Sequence, residues 1–178
     1  HALDSYLGRL LKRGHKVAIC DQTSDPTQRR GIVDRDVVRV VTPGTVMEPE
    51  LLHPTTNNYL LAAIGGLDTV GLAYIDISIG TCYATEIPSQ HFITEINRLT
   101  PAELLIAEHD AIQYLIDSTV PVSLQAAIAF DFERCMEFLC RHFGVLKLTH
   151  FGFHDMNLAV AASGALILMM VWLSSIFL

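Results

Sequence analysis

Residues 57–86 constrain the fold of this chain more tightly than any other stretch. "NNYLLAAI", "VGLAYIDIS" and "TCYATE" are three short β-type runs, separated by Gly65-Gly66 and by Gly80. Strands joined by loops that short pair only as an antiparallel meander. The middle run carries one carboxylate, Asp76, which is either the first ligand of a metal-dependent nuclease or a polar residue in a scaffold sheet. Beyond the meander, a helix over 89–99 sets Phe92, Ile93, Ile96 and Leu99 on one face. "AELLIAE" reads as a buried strand, "DAIQYLID" as a short helix and "VPVSLQ" as a fifth strand. The fold class is therefore α/β, a mixed sheet flanked by helices.

Upstream, "LDSYLGRLLKR" places Leu3, Tyr6, Leu7, Leu10 and Leu11 at helical spacing, with Gly14 as a stop. "KVAIC" and "DVVRVV" read as strands on either side of a loop, and the second ends at the Pro43-Gly44 turn. Prolines 49 and 54 in "MEPELLHPTT" mark the boundary. Residues 1–46 are thus expected to be part of a small α/β domain, 47–56 a linker, and 57–166 a second domain. Late in that domain, a helix over 131–143 aligns Phe132, Cys135, Met136, Leu139, Cys140 and Phe143 in one apolar stripe. Its spacing turns Glu137 and Phe138 outward, a pair suited to meeting a partner.

Apolar residues form 51% of the 178, which excludes general disorder. Four cysteines, scattered along the chain, do not make a secreted disulfide framework. The opening "HALDSYLGRLLKRG" is amphipathic and unlike a signal peptide, so a reduced, cytoplasmic setting is expected. A start at His1 rather than Met points to a piece of something longer. The net charge of −7 is unevenly spread: residues 1–44 hold eight bases against five acids, a net +3. The remainder holds four bases against fourteen acids, a net −10. A basic head on an acidic body fits a head placed near a polyanion, through Arg9, Lys12, Arg13, Lys16, Arg29, Arg30 and Arg35.

Met156 to Leu178 is a 23-residue run without a charge. Its length and composition meet the rule for a transmembrane helix. Against a span, no Lys or Arg flanks it. A membrane-anchored adaptor is one alternative identity for the chain.

The other alternative is enzymatic. Folds of the ribonuclease H type open with a three-stranded meander and bind metal through carboxylates on strands and helix. Asp76, Glu95 and either Glu108 or Asp110 are the residues that would have to converge. Zinc binding by Cys135, Cys140 and His142 fails on spacing, because a five-residue step between cysteines is not a zinc knuckle. His150 and His154 flank "FGF" in a loop. No phosphate-binding glycine loop, nucleophile elbow or dinucleotide fingerprint occurs. Those carboxylates apart, the sequence carries no recognisable catalytic set.

Several stretches resemble one known family. "HALDSYLGRLLKRGHKVAICDQTSDP" and "RDVVRVVTPGTV" resemble the later part of the mismatch-recognition domain of the MutS family of DNA mismatch repair proteins. "NNYLLAAI", "GLAYIDISIGTCYATE", "RLTPAELLI", "FGF" and "AASGAL" resemble its connector domain. The resemblance implies a ribonuclease H-like connector without nuclease activity, which decides the Asp76 question in favour of scaffold. It further implies mismatched double-stranded DNA and MutL as partners of the parent, a homodimeric parent, and ATP with Mg²⁺ used elsewhere in that parent. No cofactor is implied for this segment. The family's Phe-x-Glu mismatch-reading motif and its ATPase do not occur in this sequence. Past Leu166 the family implies a polar helix. "ILMMVWLSSIFL" departs from it, as a shifted or mis-joined reading frame would, and 167–178 is set apart as an atypical apolar tail.

Overall fold

The computed structural model describes residues 2–22, 35–116 and 119–175. The chain begins with helix α1 (Ala2–Leu11), followed by strands β1 (Val17–Gln22) and β2 (Arg35–Val41), which pair antiparallel with a bulge at Ile19/Cys20. Leu7 and Leu11 lie four residues apart, hence on one helix face, and bury against Val41 and Val46. Leu51 and Leu52 pack onto the same cluster, so part of the expected linker contributes to the first core.

The meander expected from 57–86 forms as β3 (Tyr59–Gly65), β4 (Thr69–Asp76) and β5 (Thr81–Pro88). Helix α2 (Phe92–Leu99) carries the chain to β6 (Glu103–Ala107) and then β7 (Val122–Gln125). The sheet order is β5-β4-β3-β6-β7, antiparallel through the meander and parallel from β3 to β7. This is the mixed sheet that the sequence patterns called for.

Strand periodicity sorts the core into two halves. Leu60, Ala62, Ala73, Ile75 and Leu105 point to one face, while Leu61, Ala63, Leu72, Leu104 and Ile106 point to the other. The second face is covered by Phe92, Ile96 and Leu99 of α2. The first is covered by helix α4 (Asn157–Ser175), through Ala162, Ala165, Leu166, Met169 and Leu173. Because both faces are covered, β6 is buried along its whole length and reads as an unbroken apolar run after Glu103.

Helix α3 (Phe132–Phe143) packs behind α4, so α4 is covered by the sheet on one side and by α3 on another. That position accounts for its apolar composition. The helix continues without a break past Leu166, and Met169 and Leu173 of the supposed tail fill the core. Among the described residues no helix is long and apolar enough to cross a membrane. Residues 159–166 are buried throughout, as are Met169 and Leu173, so packing inside the protein accounts for the lack of charge there, and the membrane reading is corrected.

The approach of α4 to the sheet requires Gly71. A Cβ there would lie 2.3 Å from the Leu158 carbonyl carbon, a backbone atom that cannot swing aside. Gly71→Ala must therefore push α4 off β4. The expected loss is about 1–3 kcal/mol, as for other overpacked cores, read from the urea midpoint of unfolding.

Candidate functional site

Asp76 ends β4 and is buried. Its Oδ2 accepts the Asn58 N–H at 3.1 Å, and its Oδ1 accepts the N–H and hydroxyl of Ser78 at 3.0 and 2.6 Å. Both oxygens are thus committed to the turn after β4 and to the start of β3. Asp110 does the same elsewhere, accepting the Gly65 N–H at 2.9 Å and the Ile112 N–H at 3.0 Å. Register separates the two. Asp76 lies opposite Tyr59 at the beginning of β3, whereas Asp110 bonds Gly65 at its end. Six residue steps of about 3.3 Å place these carboxylates roughly 20 Å apart.

Glu95 is engaged by Arg98, whose Nε donates to it at 2.9 Å and holds its carboxyl below the usual range. Glu108 is exposed in the loop after β6. A two-metal site needs oxygens around metals about 4 Å apart. The four candidates do not converge, and no group of three or more His, Cys, Asp or Glu able to hold a metal occurs among the described residues. The nuclease alternative is thereby corrected: topology puts its carboxylates at opposite ends of the sheet.

The cysteines of α3 belong to the packing. Cys135 is buried, its thiol donates to the Ala129 carbonyl at 3.2 Å, and burial, followed by the nearby Asp131 charge, pushes its pKa up to about 11. Buried in the core and bonded to a backbone carbonyl, Cys135 acts as a small packing group. His142 stacks on Phe138 with ring centroids 5.6 Å apart.

The outward pair on α3 needs one correction. Glu137 is exposed and bonded to Arg141 at 2.7 Å, but Phe138 is half-buried against the cluster around Leu139, Leu148 and Val160. Phe143, placed on the apolar stripe, is instead exposed at the C-terminal end of α3. Stripe arithmetic assumed one covering neighbour, whereas the segment leading to Phe153 wraps a second side of the helix.

The arrangement that sequence reasoning missed joins the two parts of the chain. Glu103 opens β6 and is fully buried. Its Oε2 accepts the Gly44 N–H at 3.0 Å, and its Oε1 accepts the Ser123 hydroxyl on β7. Gly44 lies in the 3₁₀ turn Pro43–Thr45 that ends β2, and a Cβ there would meet Glu103 and Leu60 at 2.9 Å. Beside this contact the Asn58 amide donates to the Pro43 carbonyl at 3.0 Å. Further along, Val40 of β2 packs on the α4 core. One signal was available: Glu103 is the lone charge at the head of an otherwise apolar strand.

Of the basic residues expected near DNA, Arg9, Lys12, Arg13, Lys16 and Arg35 are exposed. Arg9 lies over the Tyr6 ring, 5.6 Å from its centroid. Lys12 lines a cleft of about 340 Å³ between α1 and the second domain, together with His53 and Asn58. Arg29 and Arg30 lie outside the described residues. Arg39 is tied to Glu48 in an ion pair.

The fold is two α/β units pinned together across a buried acid, and no group of three or more His, Cys, Asp or Glu able to hold a metal occurs among the described residues. Comparison with known families gives the class a name. Residues 1–50 match MutS domain I and residues 58–169 match MutS domain II, so the chain belongs to the MutS family of DNA mismatch repair proteins. Among its relatives is the DNA mismatch repair protein MutS of Dehalococcoides mccartyi strain BAV1, 40% identical over 167 residues, which cover 94% of this chain and 20% of the relative. The MutS of Symbiobacterium thermophilum is 39% identical over 174 residues, with 93% and 20% covered. That of Halothermothrix orenii is 37% identical over 178 residues, with 94% and 19% covered. The chain spans about a fifth of the length of these relatives. Domains I and II are not the ATPase domain of the family.

Two measurements probe the junction. Glu103→Ala leaves the buried Gly44 N–H and Ser123 hydroxyl without their acceptor, at an expected loss of about 1–3 kcal/mol in urea unfolding. The second concerns the pair beside it. Burial raises the Glu48 pKa, but bonds from Arg39 and from the N–H groups of Glu48 and Met47 outweigh it and leave the group below its ordinary value. A lowered folded pKa favours the folded state above the unfolded value, and that contribution disappears as pH falls through the folded one. Glu48→Gln should therefore lower stability at neutral pH and leave a shallower decline on acidification below about pH 5, followed as melting temperature against pH.

Proposed function

We propose that this chain is the non-catalytic part of a MutS-type protein that lies between its DNA-reading and nucleotide-hydrolysing regions. In this reading residues 1–46 sit beside duplex DNA, 47–56 form the joint, and the domain from 57 onward is a connector that carries movement from the ATP-driven part of the parent to the DNA-bound part. The observation that carries it is the buried bridge from Gly44 to Glu103 and Ser123, because an element that relays motion must be fixed to what it moves. Exposed cations along α1 suit contact with phosphates, which adds affinity without reading sequence. The parent would be a cytoplasmic homodimer that binds mismatched DNA, and its connector would present α3, through Glu137 and its half-buried neighbour Phe138, to MutL.

The test uses the full-length parent. Arg9→Glu, Lys12→Glu and Arg13→Glu together should weaken binding to matched and mismatched duplexes alike. They should also reduce the slope of log affinity against log salt by about one for each phosphate that is no longer neutralised. An unchanged slope removes these residues from the DNA interface. For the partner face, Glu137→Arg is preferred to a change at Phe138, which would also disturb packing. Reduced capture of MutL with DNA binding intact is the expected result.

A further inference from the structure

The outer edge of the sheet carries features that neither the core nor the junction uses. β5 is the terminal strand on the meander side, eight residues long. The phase of its ladder follows from the Ser89 N–H donating to the Asp68 carbonyl at 2.9 Å. Counting back along the antiparallel register, Ile87, Thr85, Tyr83 and Thr81 are the residues that exchange bonds with β4. The N–H and C=O groups of Cys82, Ala84 and Glu86 therefore point away from the sheet. From Thr81 to Thr85 the strand has no charge and no proline, the devices that normally discourage a second strand from pairing at an edge.

Beside this edge runs an apolar cleft of about 430 Å³. Cys82 and Ala84 form one side, Phe143 and Phe151 the other, and Ser163 and Ile167 of α4 lie beneath. Phe143 and Phe151 are in contact, with ring centroids 5.1 Å apart, yet each is about half exposed, at 48% and 53%. Two exposed aromatic rings share a cleft with Cys82 and Ala84, whose outward N–H and C=O groups have no partner among the described residues, and together they define an occupant. It must be an extended strand, to satisfy the edge, and it must carry a large apolar side chain, to fill the cleft.

We propose that the β5 edge and its cleft bind an extended peptide segment by strand addition, with a bulky aliphatic or aromatic residue seated between Ala84 and the Phe143–Phe151 pair. A second copy of β5 fits less well. Its own side chains on the cleft side, Cys82 and Ala84, are too small to fill the space, and a symmetric antiparallel pair would bring two Phe143–Phe151 walls onto the same face. The assignment is independent of whether α3 meets MutL.

The test uses the 178-residue chain and a set of fluorescein-labelled heptapeptides, threonine throughout except for Val, Leu, Ile, Phe or Tyr at the central position. Saturable anisotropy is expected for the Phe or Leu members at micromolar to submillimolar concentration, as for other strand-addition sites of modest size. Binding should slow hydrogen exchange at the Ala84 amide. Ala84→Pro removes an N–H that β4 does not use, so the fold is kept, and Phe151→Ala opens the cleft; each should weaken binding at least tenfold. A heptapeptide N-methylated at its edge-facing amides should fail likewise. Absence of saturable binding by every member overturns the proposal, as does equal binding to the Ala84→Pro protein. Protection of the Ala84 amide that rises with protein concentration alone would assign the edge to a second copy, and would overturn it as well.

Discussion

Covering both faces of one short sheet is the constraint from which the rest of this molecule follows. β3 and β6 lie at its centre, and their alternate residues demand an apolar partner above and below. Helix α2 supplies one with three side chains in two turns. The other face needs a longer cover, and α4 provides it by lying across β3 and β4. A helix that must satisfy the sheet beneath and α3 behind has little surface left for charge. Its composition, which by itself looks like that of a lipid-exposed span, is what a doubly covered helix requires.

Once the sheet is closed on both sides, its ends become the difficult places, because backbone N–H groups there have no ladder partner and little access to water. Carboxylates solve this at four points. Asp76 gathers the turn after β4, Asp110 the end of β3, Glu103 the turn after β2, and Glu86 the first turn of α4, accepting from the Leu158 and Ala159 N–H groups at 2.7 and 3.1 Å. An anion at a helix N-terminus is also favoured by the helix dipole. In a nuclease built on such a sheet, acidic oxygens would have to remain free for metal. Here each of these four is committed to backbone, and two of them, Asp76 and Asp110, are among the acids that invited an enzymatic reading.

Much of this was legible in the sequence because strand and helix periods are local. The meander, α2, β6 and α3 all follow from spacing within a dozen residues. What spacing does not carry is which neighbour arrives from afar. Phe138 is covered by the segment that leads to Phe153, whereas Phe143 stays half bare with the equally exposed Phe151 beside it. Glu103 looked like an ordinary charge at a strand boundary until Gly44, 59 residues earlier, was brought against it. The uncharged run from Met156 was ambiguous for the same reason, since composition reports that a surface is buried and not what buries it.

The two ends of the sheet are therefore managed differently from its two edges. At the ends, acids and a glycine turn lock the backbone, and at the Gly44 end the lock also fixes the first unit to the second. Its donors are a backbone N–H and a hydroxyl rather than a cation, and neither brings a full opposing charge to the carboxylate. Glu103 thus accepts from two neutral donors in a fully buried position. Moving the Pro43–Thr45 turn away from β6 would remove one of the two hydrogen bonds this buried side chain accepts. Separating β2 from β6 and β7 would therefore leave a buried acceptor short of a partner, so this contact favours one arrangement of the two units.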